Sequence, residues 1–445
     1  MTPDDVVGSE ADEDTSLSRG PRRPLSFVHV AQLSDLIEQA RRFPQGVSRS
    51  DLAETLSMGR NAVDRRLRTA VEMNLLEPAG RGASTGGRAP EMWRFNPGAA
   101  TMLALVISYR QSTAALMTLG GEVLERRTWE EGLLQPPSRV LTRAAALLSE
   151  LRTARPDLPG PWALGVSLPV PVDFRDGSLV LPVTGAGTPS QWTSYPLRTR
   201  LARHLSMSVW VDDEVNALAL AAASRVGAPS DILYVRISLG LGMGIVSNGQ
   251  VHRGAGAASG EIAHIQLAGT GGERCRCGRQ GCLETVISGA AIEREARAAH
   301  ALRGSPYLRE VMSERDTIVD SDVFRGVAEG DRVCVRIVSE AADRLSGILA
   351  VLITTYNPGE VVLGGTVALC GPQFAHTVGQ SIRRRVLPVT AERLRVRIGD
   401  PDDALVGANR LAAERVLSPH VLQVWLPHGS PAGVEELITH RRQDA

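Results

Sequence analysis

The spacing of apolar positions changes several times along the chain, and each change marks a predicted element. Residues 1–25 have little to bury. They carry Asp4, Asp5, Glu10, Asp12, Glu13 and Asp14 among Ser, Gly and Pro, the composition of a disordered acidic tail. From 26 to 97 the period is helical. Leu33, Leu36, Ile37 and Ala40 share one face. Leu52, Ala53 and Leu56 follow a Ser/Asp start signal, and Val63, Leu67, Ala70 and Val71 form a third stripe. Two short apolar stretches around a Gly/Arg-rich tip then read as a hairpin.

From 98 the texture shifts to strands. Residues 102–129 read as three successive strands, followed by a helix near 137–154 and a buried strand running into the Pro-rich turn of 168–173. A helix near 196–205, a strand at 208–213 and a helix starting near Glu214 come next. Residues 232–250 read as two strands around a glycine-rich turn. A long helix near 332–356 leads into a strand at 360–365, and a last helix covers 403–417. Strand triplets followed by alternating helices and strands predict an α/β body, 98–418, with two lobes of similar make-up. The tail 419–445 fits neither lobe pattern and reads as an extension with no assigned role.

Composition adds constraints. The chain has 445 residues, enough for two or three domains, and its hydrophobic share of 43% fills ordinary globular cores. Formal net charge is zero and every basic residue is arginine, so any surface attractive to DNA must be local. No apolar run reaches the length of a membrane span. The acidic start is the opposite of a secretory signal, so a cytoplasmic protein is expected.

Three helices and a hairpin in about 70 residues match a winged helix-turn-helix template. Its third helix offers Arg60, Asn61, Asp64, Arg65, Arg66 and Arg68 at non-apolar positions, and the hairpin carries Arg81 and Arg88 among glycines. Arginine reads guanine edges or phosphates and asparagine pairs with adenine. Asp64 either accepts from a cytosine amine or orients a neighbouring arginine. The weak charge of the segment points to few phosphate contacts, so a homodimer or homotetramer on double-stranded DNA is expected.

Three of the five cysteines, Cys275, Cys277 and Cys282, fall within eight residues, preceded by His264. One imidazole and three thiolates complete a tetrahedral Zn²⁺ shell with no position left for water, which is the pattern of a structural site. Gly278 and Gly281 allow the tight turns this requires. Unrelated cysteines or a redox switch are the competing readings. Cys334 and Cys370 lie in apolar surroundings and read as core.

The stretch Gly260 to Glu284, with its GExxH and CxCGxxGCLE elements, resembles the signature of the ROK family of repressors, open reading frames and kinases. LPVPVD at 168–173, VDDEVNALALAA at 211–222, GLGMG at 240–244 and NPGEVVLGG at 357–365 are similar to further family motifs. GRAPEMWRFNP at 87–97 resembles the linker of the repressor branch, and the likeness extends over most of 30–417. The resemblance implies an N-terminal winged helix-turn-helix followed by a two-lobed actin/hexokinase-like, RNase H-like domain with ligand between the lobes. It places Glu261, His264 and Glu284 where the family bonds sugar hydroxyls, and Asp213 and Glu214 would add acceptors; the alternative is that Glu261 and Glu284 simply orient the zinc loop.

Departures from the family pattern favour a regulator over an enzyme. Family kinases open the first lobe with a DxGGT-type phosphate loop. The matching stretch here is ISYRQST, 107–113, in which Tyr109 and Arg110 would crowd the loop. The second phosphate loop reads SLGLG, 238–242. The catalytic Asp position holds Glu214, one methylene longer, and the preceding Asn is Asp213; displacements of about 1 Å can cost a hundredfold in rate. The expectation is a sugar-responsive transcriptional regulator, most simply a repressor, without kinase activity. The alternatives are a hexose or amino-sugar kinase with an accessory DNA head, and a DNA-bound regulator whose ROK domain only oligomerises.

Overall fold

The computed structural model describes residues 25–83, 89–180, 190–193, 195–267, 273–301 and 304–439. The acidic tail and the hairpin tip with Arg88 lie outside these residues.

The described residues begin with three helices, α1 (Phe27–Arg42), α2 (Arg49–Thr55) and α3 (Arg60–Glu72), and a small antiparallel sheet. Its strands β1 (Val47–Ser48), β2 (Leu76–Arg81) and β3 (Glu91–Phe95) lie in the order β1-β3-β2. Ser48 and Asp51 close a reciprocal capping box at the start of α2, which fixes where that helix begins. The three apolar stripes read from the sequence meet in one core: Leu33, Leu36, Ile37, Leu52, Val63 and Leu67 are all buried.

The body holds two five-stranded sheets of one design. In the first, β4 (Thr101–Ile107), β5 (Ser112–Thr118) and β6 (Val123–Trp129) form an antiparallel meander. β7 (Pro161–Leu168) and β10 (Ser208–Asp213) extend it in parallel, giving the order β10-β7-β4-β5-β6. Helices α4 (Pro137–Thr153) and α5 (Leu197–Leu205) cover this lobe, and β8 (Val172–Asp173) and β9 (Ser178–Leu179) make a separate ribbon. After α6 (Glu214–Ala223) the second sheet repeats the plan. β11 (Ile232–Ile237), β12 (Leu241–Ser247) and β13 (Gln250–Val251) are antiparallel, and β14 (Glu360–Gly364) and β15 (Arg395–Ile398) are parallel additions. Helices α7 (Glu284–Ile287), α8 (Gly289–Ala301), α9 (Pro306–Arg315), α10 (Asp320–Ala328), α11 (Arg332–Tyr356), α12 (Pro372–Arg383) and α13 (Pro388–Arg393) belong to this lobe.

The chain then returns to the first lobe through α14 (Asp403–Val416), which packs on α6, β4 and β7. At Gly165 of β7 a side chain would lie 1.8 Å from the Ala408 carbonyl, so glycine is what admits the helix there. Residues 419–439 are not loose. α15 (Pro419–Trp425) and α16 (Glu435–Thr439) pack on α1 and on α5 and β10 respectively. Trp425 is fully buried, its indole donates to the Val416 carbonyl at 2.8 Å, and its ring lies 5.1 Å from that of Trp162. The N-terminal helices, the tail and the edge of the first lobe therefore share one apolar core. Among the described residues no helix is long and apolar enough to cross a membrane.

Candidate functional site

Two surfaces carry the residues singled out from the sequence. The first is α3. Val63, Leu67 and Ala70 face the core, so the opposite side presents Arg60, Asn61, Arg65 and Arg68, all exposed. Asp64 lies 3.5 Å from the Arg49 guanidinium, which also reaches Glu91 at 3.3 Å. It serves an arginine of α2, one of the two roles expected for it. Arg81 is exposed at the end of β2.

Arg66 corrects the sequence reading. It is only 3% exposed, and its Nε has no hydrogen-bond partner among the described residues. The reason is periodicity: position 66 is three after Val63 and four before Ala70, on the inward face. Burial, with the charge of Arg65 adding to it, lowers the Arg66 pKa. Arg49 is the converse case, an exposed arginine on this surface that the sequence did not single out.

The second surface is the cleft where the two sheets approach. Asp213 ends β10 and caps α6, its Oδ1 accepting from the Val215 amide at 3.1 Å. Glu214 opens α6, buried, with its carboxylate 3.0 Å from the Arg236 guanidinium of β11. Glu261 sits before a short turn, Ile262–His264, that is tied to β12 by the Met243 amide donating to the Gly260 carbonyl at 3.1 Å. Glu284 opens α7 and accepts from Arg276 Nε at 3.0 Å and Nη2 at 2.7 Å. The four carboxylates thus divide into two kinds. Glu214 and Glu284 each face an arginine. Asp213 is pushed well above the ordinary carboxylate range, by burial first and then by the charge of Glu261. Burial lifts Glu261 to about 7, Arg276 working against the shift and Glu284 with it.

Arg236 and Arg276 were not foreseen. Arg236 did leave a signal, as a lone charge in the middle of the apolar run ILYVRI. Arg276, between two cysteines, reads as loop surface until the fold turns it inward. Tyr109 and Arg110 occupy the turn between β4 and β5, as expected. Tyr109 is buried, its hydroxyl accepting from Arg276 Nη1 at 2.9 Å.

Beside the cleft, His264, Cys275, Cys277 and Cys282 bring one ligand atom each to within 4.8 Å of one another. Cys277 and Cys282 sulfurs are 3.6 Å apart, and His264 Nδ1 is 3.5 Å from Cys275 Sγ. Metal–sulfur bonds of about 2.3 Å in a tetrahedron put ligand atoms about 3.8 Å apart, so the four side chains fit a metal ion. Gly278 and Gly281 take φ of 87° and 75°, the left-handed turns that fold the loop around this point. Burial lowers the His264 pKa, which favours the neutral imidazole a ligand must be. Its other nitrogen, Nε2, faces Glu261 at 3.9 Å. Cys334 and Cys370 are buried elsewhere.

The chain is similar to a putative xylose repressor of Caldicellulosiruptor sp. (strain Rt8B.4), 24% identical over 80% of this chain and 88% of that protein. A glucokinase of Halalkalibacterium halodurans is 26% identical but covers only 68% of this chain and 91% of its own length. The crystal structure of a ROK family transcriptional regulator, described as a homolog of the E. coli MLC protein, superposes with a TM-score of 0.74. It covers 91% of this chain and all of that one at 22% identity. The profile of the ROK family matches residues 109–415, both lobes and the cysteine loop together, and this chain belongs to the ROK family.

Proposed function

We propose that the protein is a DNA-binding transcriptional repressor whose ROK domain senses a sugar or sugar derivative. The observation that carries this reading is the exposed face of α3. Arg60, Asn61, Arg65 and Arg68 stand on a helix whose other side is fixed in a core, beside a two-stranded arm that bears Arg81. In this reading residues 26–97 are a winged helix-turn-helix, α3 enters the major groove, and Arg81 and Arg88 of the wing meet the backbone. Asp64 supports the surface by holding Arg49 rather than by touching a base.

The body, 98–418, senses. Asp213 and Glu261, without an arginine of their own, are the acceptors for ligand hydroxyls. Glu214, His264 and Glu284 border them. His264, Cys275, Cys277 and Cys282 hold a structural Zn²⁺ through a closed shell, with Nε2 of His264 left toward Glu261. Glu214 is held by Arg236, and Tyr109 and Arg110 fill the turn where a family kinase carries a phosphate loop, which supports a non-enzymatic role. The protein acts as a homodimer or homotetramer, pairing two heads on one operator.

The test is binding of purified protein to fragments of its source genome at physiological salt, with a panel of sugars added. Selective binding to a few fragments, relieved or strengthened by one sugar, is expected. Equal affinity for every duplex would overturn the DNA-reading assignment. Steady ATP consumption with a hexose, abolished by Glu214→Gln, would overturn the non-enzymatic one.

A further inference from the structure

The two lobes are joined across the cleft by adjacent side chains of one tight turn. Tyr109 and Arg110 sit between β4 and β5 of the first lobe, and the Ser108 amide donating to the Gln111 carbonyl closes the turn. Arg110 reaches α8 of the second lobe. Its Nη1 and Nη2 donate to Glu293 Oε1 and Oε2 at 2.9 and 3.3 Å, and Nη1 lies 3.8 Å from Asp320 Oδ1. The Glu293 and Asp320 side chains are only 5% and 8% exposed, while Arg110 is 41% exposed at the rim.

Tyr109 makes the second crossing. Its hydroxyl accepts from Arg276 in the cysteine loop, and its ring faces the Arg276 and Arg236 guanidinium groups at 5.5 and 5.7 Å. The Tyr109 hydroxyl lies 3.0 Å from where a side chain on Gly240 would begin, so the glycine-rich turn of the second lobe is what accommodates it. All these partners belong to the second lobe, and all lie around its glycine-rich turn or the start of α8, whose Gly289 amide donates to the Ser238 carbonyl at 2.6 Å.

We infer that Tyr109 and Arg110 form a built-in interlobe clasp, occupying the place of nucleotide phosphates and holding the lobes closed with no nucleotide present. The charges require the contact. Glu293 and Asp320 are two buried acids side by side, the Asp320 amide itself donating to Glu293 Oε1 at 3.0 Å. Arg297 of the same helix already gives Glu293 one cation at 3.4 Å. With the lobes closed, Arg110 adds the cation that faces both acids, and opening removes it and leaves them less well offset in a poorly solvated place. On the other side, Tyr109 slots between two guanidinium groups that would otherwise repel. A kinase needs a mobile cleft that closes on its nucleotide. Here closure is intramolecular, and a ligand in the acidic half of the cleft meets lobes already joined at the other half.

The experiment uses the full chain with donor and acceptor dyes on non-natural residues at Glu150 of α4 and Ser339 of α11, exposed positions in opposite lobes. The wild type is expected to show one short-distance population that Mg-ATP does not change. Arg110→Glu is expected to move most molecules to a longer distance, and Glu293→Arg to do the same. Combining Arg110→Glu with Glu293→Arg should recover at least half of the short population, which a merely misfolded variant would not do. Tyr109→Phe, keeping the ring and losing the hydroxyl acceptor, should give an intermediate distribution. A wild type as broad as Arg110→Glu, an Arg110→Glu variant that stays short, or closure that appears only with ATP would each overturn the clasp.

Discussion

The Arg236 guanidinium meets the Glu214 carboxylate at 3.0 Å, with both side chains less than 8% exposed. The pair joins the start of α6 to the end of β11, at Arg236 beside Ile237. The resemblance matches Glu214 to the family's proton-accepting Asp, and here a buried cation lies beside it. Neither partner tolerates loss of the other, because an uncompensated buried charge is destabilising by about 3–5 kcal/mol. Glu214→Gln is therefore expected to lower the unfolding free energy measured in urea by that order, and Arg236→Met likewise. The double variant should recover most of the loss, since it removes both charges. If the two single losses simply add in the double variant, the pair is not the unit described.

The α3 surface separates exposed from buried arginines. Each phosphate contact steepens the logarithmic dependence of DNA affinity on salt by about 0.9. Arg65→Ala and Arg68→Ala should each reduce that slope or relax sequence preference at one base pair. Arg66→Met should leave both slope and preference intact and keep or raise the melting temperature, because it removes a buried cation. Titrating fluorescent operator DNA across salt concentrations distinguishes them, and a reduced slope for Arg66→Met would sink the distinction.

These cases show what the sequence could convey. The His/Cys cluster was legible because its four members lie close along the chain and their residue types are themselves informative. Successive strands were legible from the periodicity, but the order in which β7, β10, β14 and β15 join the sheets was not. Arg66 was misread although its position was legible, since residue type was allowed to outweigh spacing. The contacts of Arg110 with Glu293 and of Tyr109 with Arg276 join residues 183 and 167 positions apart, and no local pattern reports such pairings. The tail was illegible for a related reason: Val421, Leu422 and Trp425 bury against α1 and Trp162, surfaces that exist only after folding.

Withdrawing metal should loosen the loop from Cys275 to Cys282. The ligand atoms converge in a partly buried place, so binding free energy there is folding free energy. One equivalent of zinc per chain is expected by elemental analysis, none in Cys282→Ser, and a lower melting temperature for both the chelated protein and the variant. Once metal is gone, the Cys277 and Cys282 sulfurs at 3.6 Å should oxidise readily. A chelated protein that melts as the untreated one does would show that the cluster holds no structural ion.

Asp213 gives the cleft a pH dependence of known sign. Its folded pKa is raised by burial and by Glu261. Folding therefore favours the protonated form, and the stability it contributes is present below the ordinary carboxylate range and lost as pH rises through the raised value. Asp213→Asn keeps the cap on α6, because asparagine caps as well as aspartate, and it cannot ionise. It should be more stable than the wild type at pH 8 by about 1–3 kcal/mol, the size of relieving a poorly satisfied buried group. The difference should shrink toward pH 4. Thermal melts of both proteins across this range test the sign, and an Asp213→Asn protein that is less stable at pH 8 contradicts it.

The N-terminal head is held against the body by α14 and the C-terminal tail. α14 lies between the lobes, with Asp403 at its start accepting from the Tyr234 hydroxyl at 2.9 Å. Its far end touches the head: Arg410 donates to Glu38 of α1 at 2.9 Å, and Ser34 of α1 donates to the Leu417 carbonyl at 2.7 Å. Trp425 locks this end by donating to the Val416 carbonyl and filling the space between α1 and the first lobe. If the proposed dimer reads DNA, a rigid joint suits it, because the spacing of two heads must match the spacing of half-sites. Trp425→Ala should cost about 3–5 kcal/mol by cavity formation. That cost should fall on the joint. Amide exchange in α1 should speed up by orders of magnitude while α11, buried in the second lobe, keeps its protection. Affinity for an operator with two half-sites should fall far more than affinity for one half-site, since α3 itself is untouched. If α1 exchange stays as slow as in the wild type, the tail does not hold the head.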